Sequence, residues 1–245
     1  IIWSFYRLNV KKIQNEIKIK SAFDKQVSEL EMKALRAQMN PHFIFNSLNS
    51  IQKFIFEKDE YAASQYLTKF SRLIRHILDQ SNQEFTPIYQ EIELIKIYIE
   101  MEKLRFDDQF TFELSIDTDI NTTWMIPSMV IQPLLENAIW HGLLHKKDCG
   151  TLILLFEKLS ESQIKISIKD NGVGRDKAHA LKSKQLLKKK SYGSKISEER
   201  IINIDNIYGG NASYEVVDLF DENRRSAGTL VNIVLPVIEN NEITP

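Results

Sequence analysis

Ala37-Gln38-Met39-Asn40-Pro41-His42-Phe43-Ile44-Phe45-Asn46-Ser47-Leu48-Asn49 lies inside an apolar repeat that sets the architecture of the first third of the chain. Val27, Ala34, Pro41, Leu48 and Ile55 recur every seven residues, and Phe23, Leu30, Ala37, Ile44 and Ile51 interleave with them. Such an a/d pattern, sustained over several heptads, predicts a coiled coil or helix bundle. His42 falls one position past the seam and Asn46 four positions further, so both belong to one outward face. Pro41 lacks an N–H and crowds the carbonyl of Ala37, which predicts a kink just before His42. An imidazole so placed is a nucleophile, a metal ligand or a solvated side chain. No second His, Cys or carboxylate stands at ligand spacing beside it, which disfavours the metal.

Working outward, one long helix is expected from about Val10 to Phe56, with a stutter near Lys20 because Ile13 and Ile17 are out of register with the seam. The polar run Glu57-Lys58-Asp59-Glu60 should turn the chain. A second helix then carries Ala63, Leu67, Phe70, Ile74 and Ile77 as its seam. A hairpin cannot bury a two-sided seam alone, so two chains pairing into a four-helix bundle is the economical arrangement. Ser81-Asn82-Gln83-Glu84 reads as a linker. A third helix is expected with Thr86 as N-cap and Pro87 in its first turn, burying Ile88, Ile92, Ile95 and Ile99.

From Phe110 the period changes to two. Phe110, Phe112, Leu114 and Ile116 alternate as a half-buried strand. Ser128 to about His141 reads as a helix bent at Pro133. Strands follow at 151–156 and 164–169, and the lysine-rich 171–192 has no periodicity and reads as a mobile loop. A helix over 194–207 and strands at 212–219 and 229–235 complete the pattern. Helices and strands segregate, which predicts an α+β sandwich rather than βαβ units.

The 245 residues, 43% of them hydrophobic, suit a long-helix module plus one globular domain. A net charge of -1 gives no footprint for nucleic acid. One cysteine, Cys149, excludes a disulfide framework within the chain. Ile1-Ile2-Trp3-Ser4-Phe5-Tyr6-Arg7-Leu8 followed by Lys11-Lys12 is too short to span a bilayer. It reads either as the inner end of a spanning helix, aromatic then cationic, or as an ordinary amphipathic start.

Three short runs in the second half carry chemistry. Asn137 and His141 in Leu134-Leu135-Glu136-Asn137-Ala138-Ile139-Trp140-His141-Gly142 stand four apart on one helix face, and an Asn oxygen is a suitable Mg²⁺ ligand when phosphates and water complete the octahedron. Asp170-Asn171-Gly172-Val173-Gly174 ends a strand, with an acceptor for an exocyclic amine and glycines that permit close approach. Gly228-Thr229 opens the last strand. Each is weak alone; their order and spacing together are specific.

Residues 125–236 resemble the ATP-binding (GHKL, or Bergerat) domain shared by histidine kinases, gyrase and the mismatch-repair ATPases. Asn137-Ala-x-x-His141 resembles its N box, Asp170-Asn-Gly-Val-Gly174 its first glycine box and Gly228-Thr229 its last. With residues 38–49, Arg105-Phe106 and Ile131-Gln132-Pro133-Leu134-Leu135-Glu136-Asn137, the chain resembles the LytS-type sensor histidine kinases. That resemblance implies a juxtamembrane helix at 1–21, a dimerisation and phosphotransfer hairpin at 22–84, a connecting helix at 85–105 and the ATP-binding domain at 106–240. It implies His42 as phosphoacceptor, Asn137 as Mg²⁺ ligand and His141 beside the phosphates of ATP. Asp170 would read the adenine amino group, Gly172 and Gly174 would shape the pocket, and the segment up to Gly193 would be the ATP lid. Asn46 is placed to orient water against a phosphorylated aspartate.

Two departures from the family pattern stand out. The family's Gly-x-Gly-Leu box is here Gly193-Ser194-Lys195-Ile196, so Lys195 either contributes a cation to the triphosphate or impairs the pocket. Phe43 stands where other subfamilies have an acid next to the phosphoacceptor; a mostly neutral imidazole already has a free lone pair near pH 7. The function implied is ATP-dependent autophosphorylation on His42 and phosphotransfer to an aspartate of a response regulator receiver domain, of a regulator with a LytTR-type DNA-binding domain. The implied setting is a homodimer with no direct nucleic-acid contact, the cytoplasmic portion of a bacterial inner-membrane protein held by a segment before Ile1. The alternative is a pseudokinase scaffold with weak or no nucleotide turnover.

Overall fold

The computed structural model describes Trp3 and residues 41–81, 83–146, 148–175, 177 and 212–239. The expected helix before Pro41, its stutter, the kink at Pro41, most of the 171–192 loop, and the 194–207 helix lie outside these residues. The chain divides into two units, Ile1–Lys53 and Phe54–Pro245. No helix of the described residues is long and apolar enough to cross a membrane.

Helix α1 (Pro41–Phe56) buries Phe43, Ser47, Ser50 and Phe54, a single stripe at steps of four, three and four. Within that stripe Ser50 Oγ is satisfied by donating to the Asn46 carbonyl (3.0 Å). The expected seam is elsewhere: Leu48 is 49% and Ile55 61% exposed, and Ile44 and Ile51 are half-buried.

The helix stops at a turn in which Lys58 adopts φ 58 and the Asp59 N–H returns to the Phe54 carbonyl (2.9 Å). Asp59 then caps α2 (Glu60–Ser81): its Oδ1 accepts the Ala62 N–H at 2.9 Å, satisfying one of the free donors of the first turn. Asp59→Ala should lower stability by about 1 kcal/mol, read as a shifted urea midpoint with unchanged slope.

Helix α2 runs antiparallel to α3 (Ile88–Arg105), joined by the ion pairs Lys69–Glu100 and Arg72–Glu93. The α2 residues that become buried are Tyr66, Leu73, Ile77 and Gln80, so of the seam expected on this helix only Ile77 goes in, and Leu67 remains 50% exposed. Helix α3 is buried beyond the predicted face, with Leu94, Ile97, Tyr98, Met101 and Glu102 joining Ile88, Ile92, Ile95 and Ile99. Its N-cap is Pro87, not Thr86. Thr86 instead belongs to β1 (Phe85–Pro87), which pairs with β3 (Met125–Pro127). The free N–H groups of Ile88 and Tyr89 donate to the carbonyls of Trp124 (2.9 Å) and Thr122 (3.0 Å), so a loop performs the capping a side chain was expected to do.

The main sheet has five strands in the order β2-β4-β5-β7-β6: β2 (Phe110–Ile116), β4 (Gly150–Ser160), β5 (Gln163–Asp170), β6 (Ser213–Phe220) and β7 (Ser226–Pro236). β2 is parallel to β4 and the other pairs are antiparallel, the α+β arrangement expected. Inward residues alternate, with Leu152, Leu154 and Phe156 on β4 and Ile164, Ile166 and Ile168 on β5 fully or nearly fully buried. The strands outrun their predicted limits because polar ends such as Lys158–Ser160 still pair.

Between β3 and β4 lies α4 (Gln132–Asn137), continued by a π-helical turn (Ala138–Gly142) and a 3₁₀ turn (Leu143–His145). The helix expected from Ser128 starts later, because Met129 takes φ 57 and Ser128 to Ile131 form turns. Pro133 therefore falls in the first helical turn, where its missing N–H costs nothing, and it bends no helix.

Candidate functional site

The register of the sheet places Asp170, the last residue of β5, opposite Thr229 of β7. Asp170 is buried, and its Oδ1 accepts the Gly172 N–H at 2.8 Å. The hydroxyl and backbone N–H of Thr229 also donate to this carboxylate. Glycines are required where the backbone comes against it. A Cβ on Gly142 would lie 2.8 Å from Asp170 Oδ1, and one on Gly172 would lie 2.3 Å from the Gly142 carbonyl carbon. Gly228 has φ 132, and a Cβ there would meet the Asp170 carbonyl oxygen at 2.0 Å. Gly174 is buried beside Ser226.

Further bonds close the loop. The Val173 N–H donates to the Gly142 carbonyl (3.2 Å), and the Thr151 N–H donates to Asn171 Oδ1 (2.8 Å). The three motif runs thus interlock around one carboxylate. Gly142, Asn171 and Ser226 belong to this arrangement but were not among the expected site residues; the glycine directly after His141 was the signal for the first.

Asn137 ends α4, and His141 stands in the π-helical turn, both half-buried. Such turns carry one extra residue per turn and recur at functional sites. His42 and Asn46 both belong to α1, where Asn46 is half-buried. Gly193 and Lys195 lie outside the described residues. His76 lines a separate polar cavity with Asp79, Gln83, Tyr89 and Glu93 where α2 ends and α3 begins.

Residues 30–110 match the family described as histidine kinase. The chain is 34% identical over 163 residues to the sensor histidine kinase YpdA of Escherichia coli (strain K12), a match covering 66% of this chain and 28% of YpdA. It is 29% identical over 226 residues to the sensor protein LytS of Bacillus anthracis, covering 90% of this chain and 34% of LytS. The chain is similar to the LytS-type sensor histidine kinases. It spans about a third of the length of these curated relatives. Among solved structures, the histidine kinase domain of the Erythrobacter litoralis EL346 blue-light activated kinase aligns with 15% identity and a TM-score of 0.46, covering 85% of this chain and 95% of that one.

The electrostatics of the site follow from its burial. Burial pushes the Asp170 carboxyl up to about 6, against the opposing pull of the Gly172 and Thr229 donors. A second buried group of charges lies at the end of α3. Burial pushes Glu102 up to about 8, with Arg105 opposing the rise and Glu136 adding to it. Arg105 is itself held below its ordinary range by burial. At the far edge, Arg175 donates to both oxygens of Asp218 (2.7 and 2.5 Å) and holds that carboxyl down, fastening the chain beyond the glycine box to β6.

Proposed function

We propose that the chain is an ATP-dependent protein-histidine kinase whose adenine-reading acceptor is Asp170 and whose phosphoacceptor is His42. The observation that carries this reading is the Asp170 recess. A carboxylate offers about four acceptor positions. Gly172 and the two Thr229 donors use three kinds of contact there, which leaves capacity for an exocyclic amine.

A neutral His42 nitrogen attacks the γ-phosphorus of ATP in line. The N–P bond forms as the bond to the β–γ bridging oxygen breaks, ADP leaves, and the proton on the other ring nitrogen is lost to solvent. The phosphoryl group then passes to an aspartate of a response regulator receiver domain, for which a LytTR-type regulator is the family expectation. Among the described residues no cluster of three or more His, Cys, Asp or Glu could hold a metal. An Mg²⁺ ion at the Asn137 amide oxygen would depend on oxygens that the nucleotide brings, which fits its preference for phosphates and water. When bound, Mg²⁺ would neutralise charge on the phosphates. His141 would contact them, the segment up to Gly193 would be the lid, Lys195 would offer a cation to the triphosphate, and Asn46 would serve dephosphorylation of the partner.

The same proposal includes the domain limits at 22–84, 85–105 and 106–240, and a homodimer in which a second chain covers Leu48, Ile55 and Leu67. A place at the cytoplasmic face of a bacterial inner membrane is supported by the aromatic-then-cationic order of residues 3–12. The reading has a pH signature. A raised Asp170 pKa means that the free recess takes up a proton as pH falls through about 6, while an amine donor needs the ionised form. ATP affinity should therefore be full above about pH 7 and fall roughly tenfold per unit well below pH 6. The free protein should do the opposite, losing stability as pH rises from about 4 to about 6. Calorimetric titration with ATP at several pH values reads the first effect, and flat affinity across that range would remove Asp170 from the adenine contact.

A further inference from the structure

The end of α3 and the π-helical turn meet through one guanidinium. Arg105 lies with its Cζ 4.3 Å from the Trp140 ring centroid and 4.8 Å from that of Phe106. The two rings stand edge to face, 5.4 Å apart at 80°. Trp140 is three residues after Asn137 and one before His141, inside the turn. An indole that moves therefore moves both neighbours. The side chain of Arg105 is only 14% exposed.

The surroundings make this stack the main use of the charge. Glu102, fully buried, is 3.9 Å from Arg105 Nη1, too far for a hydrogen bond, and neither of its carboxylate oxygens has a hydrogen-bond partner among the described residues. Its elevated pKa fits a carboxyl that is largely protonated near neutrality, so no tight ion pair competes for the guanidinium. On the other side, Gln132 Nε2 donates to Glu136 Oε1 at 3.2 Å, bracing the residue directly before Asn137.

A π-helical turn gains little from its own hydrogen bonds and is rare without outside support. Here the outside support is planar and cationic, and it comes from the helix that also packs against α2. We infer that Arg105 is a positioning residue for nucleotide binding: its guanidinium, within cation–π distance of both Phe106 and Trp140, holds the turn carrying Asn137 and His141 against the end of α3. The inference rests on the nucleotide reading of the Asp170 recess. It gives Arg105-Phe106 a physical role distinct from any contact with the ligand. Lysine replaces arginine poorly in this role, since a compact, strongly hydrated ammonium lacks the delocalised planar guanidinium that favours aromatic contact.

The test is a mutant cycle on the whole chain, with Mg·ATP and Mg-free ADP as the probes and calorimetry as the readout. Arg105→Lys keeps the charge and avoids leaving Glu102 beside an empty space, so folding is retained, as thermal melting would verify. It should raise the Kd for Mg·ATP about tenfold, the scale of a lost desolvated stack. The Kd for Mg-free ADP, held chiefly through Asp170, should change far less, so the ratio of the two constants rises. Trp140→Leu should act alike, and the double variant should bind no more weakly than the weaker single one. Wild-type affinity in Arg105→Lys, equal losses for both probes, or effects that multiply in the double variant would each overturn the assignment. A wild-type chain that binds neither probe would overturn both this inference and the nucleotide reading, whereas normal binding by wild type and Arg105→Lys alike would overturn this inference alone.

Discussion

Asp170→Asn should raise the Kd for ATP by at least about a hundredfold while leaving the fold intact. The carboxylate already accepts from Gly172 and Thr229. An amide keeps one oxygen for these donors and turns an NH₂ toward whatever donor remains, so the adenine amine meets a donor instead of an acceptor. Hydrogen bonds to a charged partner contribute about 1.5–3 kcal/mol, and leaving a buried donor unsatisfied adds to that loss, which together exceed two decades of affinity. Stability should change little, because the wild-type carboxyl is itself raised by burial and the neutral isostere escapes that desolvation. The variant should also lose the pH dependence near 6. Normal binding by Asp170→Asn would place the adenine elsewhere.

The second large effect concerns the nucleophile. His42→Gln should abolish phosphohistidine formation, with the Kd for ATP within about twofold of wild type, a change of under ~0.5 kcal/mol. His42 stands in α1, in the unit Ile1–Lys53, while Asp170, Asn137 and Thr229 all belong to Phe54–Pro245. On the proposed reading His42 is no part of the nucleotide contacts, so losing it should remove the reaction and spare ATP binding. Glutamine preserves helix propensity and length, so a loss of label would report chemistry and not folding. Phosphate still arriving on His76, which lines the polar cavity at the end of α2, would show that a different imidazole is the acceptor.

Much of this arrangement could be read from the chain because period and motif spacing are local properties. The alternation of Phe110, Phe112, Leu114 and Ile116 became β2, and the isoleucines of 164–168 became the buried face of β5. The order of Asn137, Asp170 and Gly228 pointed to a site because the first two end their elements and Gly228 lies near the start of β7, which pairing brings against the end of β5. Choosing between two apolar stripes on one helix was not possible. Helix α2 carries both Leu67–Ile74 and Tyr66–Leu73–Ile77, and only its packing against α3 decides that the second goes inside. Nothing local distinguishes Glu102 and Arg105 from a solvated i, i+3 pair, although both are buried or nearly so. The late start of α4 was hidden for a related reason. Apolar residues from Met129 to Leu135 fit helical spacing, but Met129 takes a left-handed conformation that the pattern does not encode.

The central claim, that this chain moves the γ-phosphoryl group of ATP onto His42, is tested most directly by locating the label. The whole chain would be incubated with Mg²⁺ and γ-labelled ATP, digested with trypsin, and the labelled peptide sequenced. The account predicts phosphate that is stable to alkali and labile to acid, recovered on the fragment from Ala37 to Lys53, which contains His42 as its one histidine. Label on any other peptide, acid-stable label on a hydroxyl, or no label from a chain that binds ATP tightly would contradict it.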